Sequence, residues 1–310
     1  MSRSATAVPQ QPPSWQQRLR LAWRRSKPTL GNLVFYSFVL LFIFAMVAPF
    51  LWTIISSISP QAELVSRPPH WFPEEPTLDR YKALFFGPEE GQTLPVAASR
   101  FLDALVSSLV VSITTTIVCL IAGTLAAYPF ARLRIPGESY FLLGILSVQM
   151  LPVIVIIIPL YLLMQTFDLM DSWRGLILLY SGFLLPTVIW IMYGYLQTIP
   201  RELEDAAMID GCSRFGAIIR VIIPLAGPGL VAVGAFAFLS AWNEFFMALI
   251  FTASNAKTIT VTVTEFSTQF GIDYGLMTTG GVIGSIPPLI LAFLLQRYLV
   301  QGLTSGAVKG

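Results

Sequence analysis

Side chains able to make or break bonds are scarce in this sequence. It holds one histidine, His70, and two cysteines, Cys119 and Cys212. A nucleophile–base set or a metal cluster is hard to assemble from that stock, so neither a catalytic site nor a metal site is expected. No G-x-x-x-x-G-K-[ST] loop occurs, and the terminal GAVKG lacks its spacing, so the chain itself is not expected to hydrolyse ATP. Two places concentrate charge in unusual company. One is Glu244, which follows Trp242 and Asn243 in SAWNEFFMALIF, deep in an apolar run. A carboxylate there is costly unless it faces a partner or a cavity. Glu244 therefore either lines a translocation path or glues two helices together. Asn243, Trp242, Ser240, Gln149 and Tyr180 are weaker candidates for the same lining. The other place is ELEDAAMIDG, Glu202 to Gly211, a compact acidic segment whose chemistry is docking rather than catalysis.

The elements that position these residues follow from composition. The 310 residues are 55% hydrophobic and 12% charged, with a mean hydropathy of +0.71, against about 25% charged in a soluble domain. Six apolar runs meet the roughly 20-residue requirement for crossing a bilayer as a helix. They lie at about 33–55, 104–128, 141–165, 176–197, 228–251 and 277–299. Each must be helical, because lipid cannot satisfy free backbone groups. The fold class is thus an all-α membrane protein of six transmembrane helices. A formal charge of +2 gives no reason to invoke nucleic acid.

Lys and Arg set the orientation. With the N-terminus inside, inner segments carry thirteen of the 19 and outer segments six. Positive charge belongs inside, so both termini are expected in the cytoplasm of an inner-membrane protein. Residues 1–32 carry six basic residues and no acid, and read as a cytoplasmic basic arm with no cleavable signal. The membrane-spanning body covers 33–300, and 301–310 form a short cytoplasmic tail. Outside, the loop 60–100 is long and acidic, and 252–276 alternates in a partly strand-like way.

The acidic segment sits in the inner loop TIPRELEDAAMIDGCSRFGAIIRVIIPLAGPG. Pro200 starts a helix, Glu202, Glu204 and Asp205 complement its dipole, and Gly211 suits the position past its end. About ten residues of helix are marginal in water, so something must hold them. Spacing places Leu203, Ala206, Ala207 and Asp210 on one face, and Glu204 and Asp205 elsewhere. A small-residue face suits insertion into a cleft on a cytoplasmic partner. Phe215, Ile218, Ile219, Ile222 and Ile223 then form an apolar stripe, expected as an interfacial helix that passes force directly into the fifth span.

These residues resemble the EAA loop of binding-protein-dependent ABC importer permeases, whose pattern is about E-A-A, three residues, G, nine residues, I-x-L-P. Here it reads Glu204-Asp205-Ala206-Ala207, Asp210-Gly211 and Val221-Ile222-Ile223-Pro224-Leu225, with Asp205 in place of the first alanine. WNEF in span five, the approach LLPTVIWIMYGYLQTIPRELEDAA and the ending LVQGLTSGAVKG resemble the sugar-importer branch of maltose and trehalose type. The likeness covers about 33–310. It implies the MetI-like permease fold, with a coupling helix that contacts a cytoplasmic ATPase dimer through Glu202, Glu204, Asp205, Ala206, Ala207, Asp210 and Gly211. ATP and Mg would sit on that ATPase, with no cofactor on this chain. It further implies a homologous second permease in a heterodimer and an extracytoplasmic sugar-binding protein touched near Thr252, Ser254, Asn255 and Lys257. A tail with Gly302, Ser305, Gly306 and Lys309 would reach the ATPase. The substrate would be a carbohydrate, a disaccharide by the branch, in a lipid setting.

Two other classes compete. An ion-coupled secondary carrier would show paired inverted halves or several intramembrane acids and histidines. Residues 33–165 and 176–299 show no such likeness, and no histidine lies in a span. A membrane-embedded enzyme would need a convergent acid–base set, which this sequence lacks.

Overall fold

The computed structural model describes residues 30–68, 70–87, 94–133, 135–268 and 271–307. The basic arm up to residue 29 and Lys309 lie outside them. Two units are distinguished, 1–52 and 53–310. In the first, the described residues belong to α1 (Leu30–Ile58), a helix long and apolar enough to cross a membrane.

The second unit is built from α2 (Asp79–Phe86), α3 (Phe101–Arg132), α4 (Glu138–Ser147), α5 (Val153–Thr166), α6 (Trp173–Gln197), α7 (Arg201–Ile209), α8 (Arg214–Leu225), α9 (Gly227–Trp242), α10 (Phe246–Phe251), α11 (Ile259–Thr264) and α12 (Tyr274–Ala307). A two-residue antiparallel hairpin, β1 (Ser267–Thr268) and β2 (Gly271–Ile272), joins α11 to α12. Local chemistry sets several boundaries. Ser172 and Ser213 cap α6 and α8 by accepting the amides of Gly175 and Gly216, each at 3.1 Å. α5 starts after Leu151, whose extended backbone is what a following proline imposes.

At its centre, α3 packs along α6 and against α9. Small residues make the first contact close: a Cβ on Gly123 would stand 2.5 Å from Val188 Cγ1, so glycine is what lets the backbones approach. Three buried clusters all draw on α3. Cys119, Ala127 and Tyr128 meet Val188, Met192 and Val233; Phe101 meets Trp242, Phe266 and Leu276; Val111 meets Met164, Tyr180 and Phe251. With 32 residues at a rise of about 1.5 Å, α3 is a rod about 48 Å long, and it runs from one end of this unit to the other.

Among the described residues, four helices are long and apolar enough to span a membrane, or up to six if each of two bent pairs counts as one span. The count reaches six only with those pairs, and the second of them joins α8 to α9 rather than covering the run 228–251. The run 141–165 breaks at Leu151–Pro152, with the two pieces at 89°. The run 228–251 breaks at Asn243–Phe245, between α9 and α10. The interfacial helix is also modified. Ile218–Ile222 is a π-helical stretch, and α8 meets α9 at 77°. The wider turn splits the expected stripe: Ile218 and Ile222 are buried, while Phe215, Ile219 and Ile223 are exposed. In the loop expected to be strand-like, TITVTVT forms α11 instead, with Thr262 and Thr264 hydroxyls returned to backbone carbonyls. Gly302, Ser305 and Gly306 continue α12 as helix rather than forming a loose tail.

Candidate functional site

Three places hold the residues singled out above: the α7 end of the unit, the broken span at α9–α10, and the loop 252–257 at the opposite end.

α7 starts after Pro200, ends at Ile209, and turns through Gly211 at φ +88°, a conformation glycine adopts without strain. Its orientation differs from the expected one. The inward residues are Glu204 and Ala207, three apart, and Glu204 is only 6% exposed. Leu203, Asp205, Ala206 and Asp210 face outward, and Ile209 is 87% exposed. What turns Glu204 inward is a cluster on α3. The Tyr128 hydroxyl donates to Glu204 Oε1, and Arg132 Nε lies 3.3 Å from Oε2, paired by charge without hydrogen-bond alignment. Arg132 Nη1 donates to Ile199 O at 3.0 Å, and Arg201 Nη2 returns a bond to Ala131 O at 3.1 Å. The Arg132 side chain is 4% exposed, and its Nη2 has no partner. Neither Tyr128 nor Arg132 was found from the sequence. Both sit some seventy residues before α7 in chain order, and no local pattern links them to it.

The motif's own spacing sets its register one residue later. Counting back three residues from Gly211 reaches Ala207 and Ala206, so the motif's acid falls on Asp205. Asp205 is outward and available to a partner; Glu204 and Ala207 are held inside the chain.

At the broken span, Glu244 has a defined task. Its carboxylate accepts the amides of Met247 at 2.9 Å and Ala248 at 3.1 Å, capping the first turn of α10. Thr260 Oγ1 binds its carbonyl at 2.9 Å. The cap is why the helix can restart inside an apolar run, since an anionic acceptor satisfies the exposed amides and complements the dipole. Trp242 is buried, stacks on Phe238 and donates its indole N–H to Gly284 O at 3.1 Å. Tyr180 is buried beside Glu244, its hydroxyl lacking a well-aligned partner. Asn243 is exposed and returns its amide to Leu239 O. Trp242, Asn243 and Phe245 border a cavity of about 370 Å³ with Thr260, Thr264 and the glycine face of α12. Ser240 is half-buried on α9. Gln149 lies elsewhere, at the α4–α5 break, where its amide donates to Phe183 O at 3.0 Å and to Thr187 Oγ1 on α6.

At the other end, Asp171 does what no sequence pattern announced. Its carboxylate accepts the successive amides of Ala253, Ser254, Asn255 and Ala256 at 2.9–3.1 Å, and the Ser254 hydroxyl as well. Partial burial pushes the Asp171 carboxyl up, but the four backbone donors outweigh it and hold it below the usual carboxylate value. Asp171 itself adopts φ +48°. Arg100 Nη1 reaches Ser254 O, Ser108 Oγ accepts the Ile259 amide at 2.7 Å, and Trp173 Nε1 donates to Ser107 Oγ at 3.0 Å. Thr252 Oγ1 binds Ala248 O at 2.7 Å, and Lys257 pairs with Glu265. Thr252–Lys257 is therefore a fixed loop mounted on α3 and α6. Among the described residues no group of His, Cys, Asp and Glu is arranged to hold a metal.

Residues 119–305, which contain α4 to α11, the last 14 residues of α3 and most of α12, match the family described as "Binding-protein-dependent transport system inner membrane component". The chain belongs to this family. It is a membrane component of a transport system, not its catalytic subunit. Family relatives include the sulfoquinovosyl glycerol transport system permease protein of Agrobacterium fabrum, 35% identical over 84% of this chain and 88% of the relative. The diacetylchitobiose uptake system permease protein of Streptomyces coelicolor is 33% identical over 88% and 95%. The trehalose transport system permease protein of Mycobacterium tuberculosis is 35% identical over 84% and 92%. The fold matches a chain in the crystal structure of a bacterial ABC transporter involved in the import of alginate, at TM-score 0.72 and 19% identity, covering 87% of this chain and 96% of that one. The chain therefore has the MetI-like permease fold of this family and is a multi-pass membrane protein.

Proposed function

We propose that this chain is one of two homologous permease subunits of an ATP-driven carbohydrate importer, with both termini in the cytoplasm. A cytoplasmic ATPase dimer grips α7 from the inner side, and an extracytoplasmic sugar-binding protein docks over the loop Thr252–Lys257. The observation that carries the reading is α7 itself. A nine-residue helix marginal in isolation is pinned by a buried carboxylate, and it turns Asp205, Ala206 and Ile209 outward. Those residues make a low, slightly apolar face with one acid, a shape that fits a cleft on a rigid partner. Relatives named for trehalose, diacetylchitobiose and sulfoquinovosyl glycerol transport support a carbohydrate substrate of disaccharide or glycoside size. A related alginate transporter has been solved in complex with an alginate pentasaccharide-bound periplasmic protein, which supports the outer partner. The Lys and Arg distribution supports the sidedness.

In this reading Asn243, Phe245 and the polar face of α11 border the path, and Glu244 keeps the break in the fifth span open by capping α10. The test is affinity purification of the tagged chain from its own membranes. Recovery of an ATPase chain and a second permease is expected, followed by uptake assays on the reconstituted assembly with labelled trehalose, maltose and glycosylglycerols. An intact transporter recovered without any ATPase chain would overturn it.

A further inference from the structure

We propose that Glu204 is a positioning residue for coupling: through Arg132 and Tyr128 it hands the displacement of α7 to α3. This rests on the reading that a partner ATPase moves α7, and it adds which helix receives that motion. The route expected from sequence ran along the backbone from α7 through α8 into α9.

That backbone route is compliant. It contains the left-handed turn at Gly211, the π stretch Ile218–Ile222 and the 77° bend before α9. Each is a place where helical hydrogen bonding is interrupted or widened, so a push on α7 bends the link before it moves α9. The side-chain route is short and closed on both sides. Tyr128 and Arg132 hold Glu204, Arg132 also holds Ile199 O, and Arg201 holds Ala131 O. The last turn of α3 and the start of α7 are thereby cross-bonded in both directions.

The chemistry argues for geometry over cohesion. A buried ion pair is seldom the cheapest way to make two elements adhere, since apolar residues of similar size do as well or better. Here the pair is also incompletely satisfied, with Arg132 Nη2 unpartnered. What such a pair provides is one allowed register between two elements, because any slip strands a buried charge. And α3 is a helix whose displacement reaches far: like α9 it contributes to all three buried clusters, and it packs on both α6 and α9, so they must follow it.

The test uses the full assembly in vesicles with its ATPase and substrate-binding protein. Three quantities are measured: thermal midpoint, basal ATP hydrolysis, and its stimulation by the loaded binding protein. Glu204→Gln keeps shape and removes charge; Tyr128→Phe removes one hydroxyl. Each is expected to leave assembly and basal hydrolysis in place and to lower stimulation by about tenfold, the scale of one charge-assisted hydrogen bond. The pair Arg132→Met with Glu204→Met is expected to restore the thermal midpoint without restoring stimulation. Stimulation that returns together with stability would overturn the inference, because cohesion alone would then suffice. Unchanged stimulation in Glu204→Gln would overturn it while leaving the docking of α7 intact. Loss of assembly in all three variants would overturn it by making the cluster a folding requirement only. A wild-type chain whose α7 never touches the ATPase would instead overturn the underlying functional reading, and the inference with it.

Discussion

Glu204 and Asp171 solve one problem at opposite ends of the chain by different means. Each is a carboxylate that fixes an outward-facing contact element to the helices behind it. At the α7 end the partners are charged and aromatic side chains, buried together. At the other end the partners are four consecutive backbone amides of a mostly exposed loop. The difference is in what happens when a partner is lost. Stranded side-chain charge cannot reach water, whereas stranded amides in an exposed loop can rehydrate. The Glu204 anchor is therefore brittle and specific in register, and the Asp171 anchor is forgiving and local.

The comparison breaks first on Arg132→Met. With Glu204 left buried and unpaired, the fold should lose about 3–5 kcal/mol, read as a fall in the unfolding midpoint of the purified chain in detergent. A loss no larger than that of a surface substitution would mean that water already reaches the cluster. The next largest effect separates the two faces of α7. Ala207→Leu pushes into the packed side and should cost about 1–3 kcal/mol. Ala206→Leu, one residue earlier and outward, should stay within about 0.5 kcal/mol in stability but weaken retention of the ATPase in pull-down. Equal destabilisation by both would show that α7 is turned differently.

Asp171→Ala should cost about 1 kcal/mol of global stability, with its main result confined to the loop. Amide hydrogen exchange at residues 253–256 should accelerate markedly while exchange in α3 and α6 does not change. The smallest effect concerns pH. Asp171 titrates below its ordinary 3.8 in the folded chain, so its contribution is complete above that value and declines only as pH falls through the lower folded value. Exchange at 253–256, corrected for intrinsic rates, should therefore be flat from pH 8 to about pH 5. A rise in loop mobility near pH 6 would contradict the nest of amides.

Much of this layout is legible in the letters alone. Pro200, the acids after it and Gly211 bracket α7 to within a residue, because caps and left-handed turns are local chemistry. Hydropathy places four of the apolar runs on helices long and apolar enough to span a membrane, and the other two on bent or broken ones. What local arithmetic misses is anything decided by a distant partner. Helical spacing put Glu204 off the working face without saying that Arg132 would draw it into the interior. Asp171 is a single letter in DLMDSW, eighty-odd residues before the amides it organises. The breaks within 141–165 and 228–251 are intermediate cases. Pro152 marks the first, but the second has no proline, and its signal is Glu244, whose carboxylate caps the restarted helix through two backbone amides.

One rod underlies both ends. α3 carries Ser108, with Arg100 just before its start, where the loop 252–257 is seated, and Tyr128 and Arg132 where α7 is clamped. A see-saw of that length, about 48 Å from its 32 residues, tilted by about 10° around its middle, would carry its tips about 4 Å in opposite senses. Whatever pulls the α7 tip sideways thus swings the seat of the loop Thr252–Lys257 the other way, with no signal needing to pass along the membrane-spanning backbone as strain.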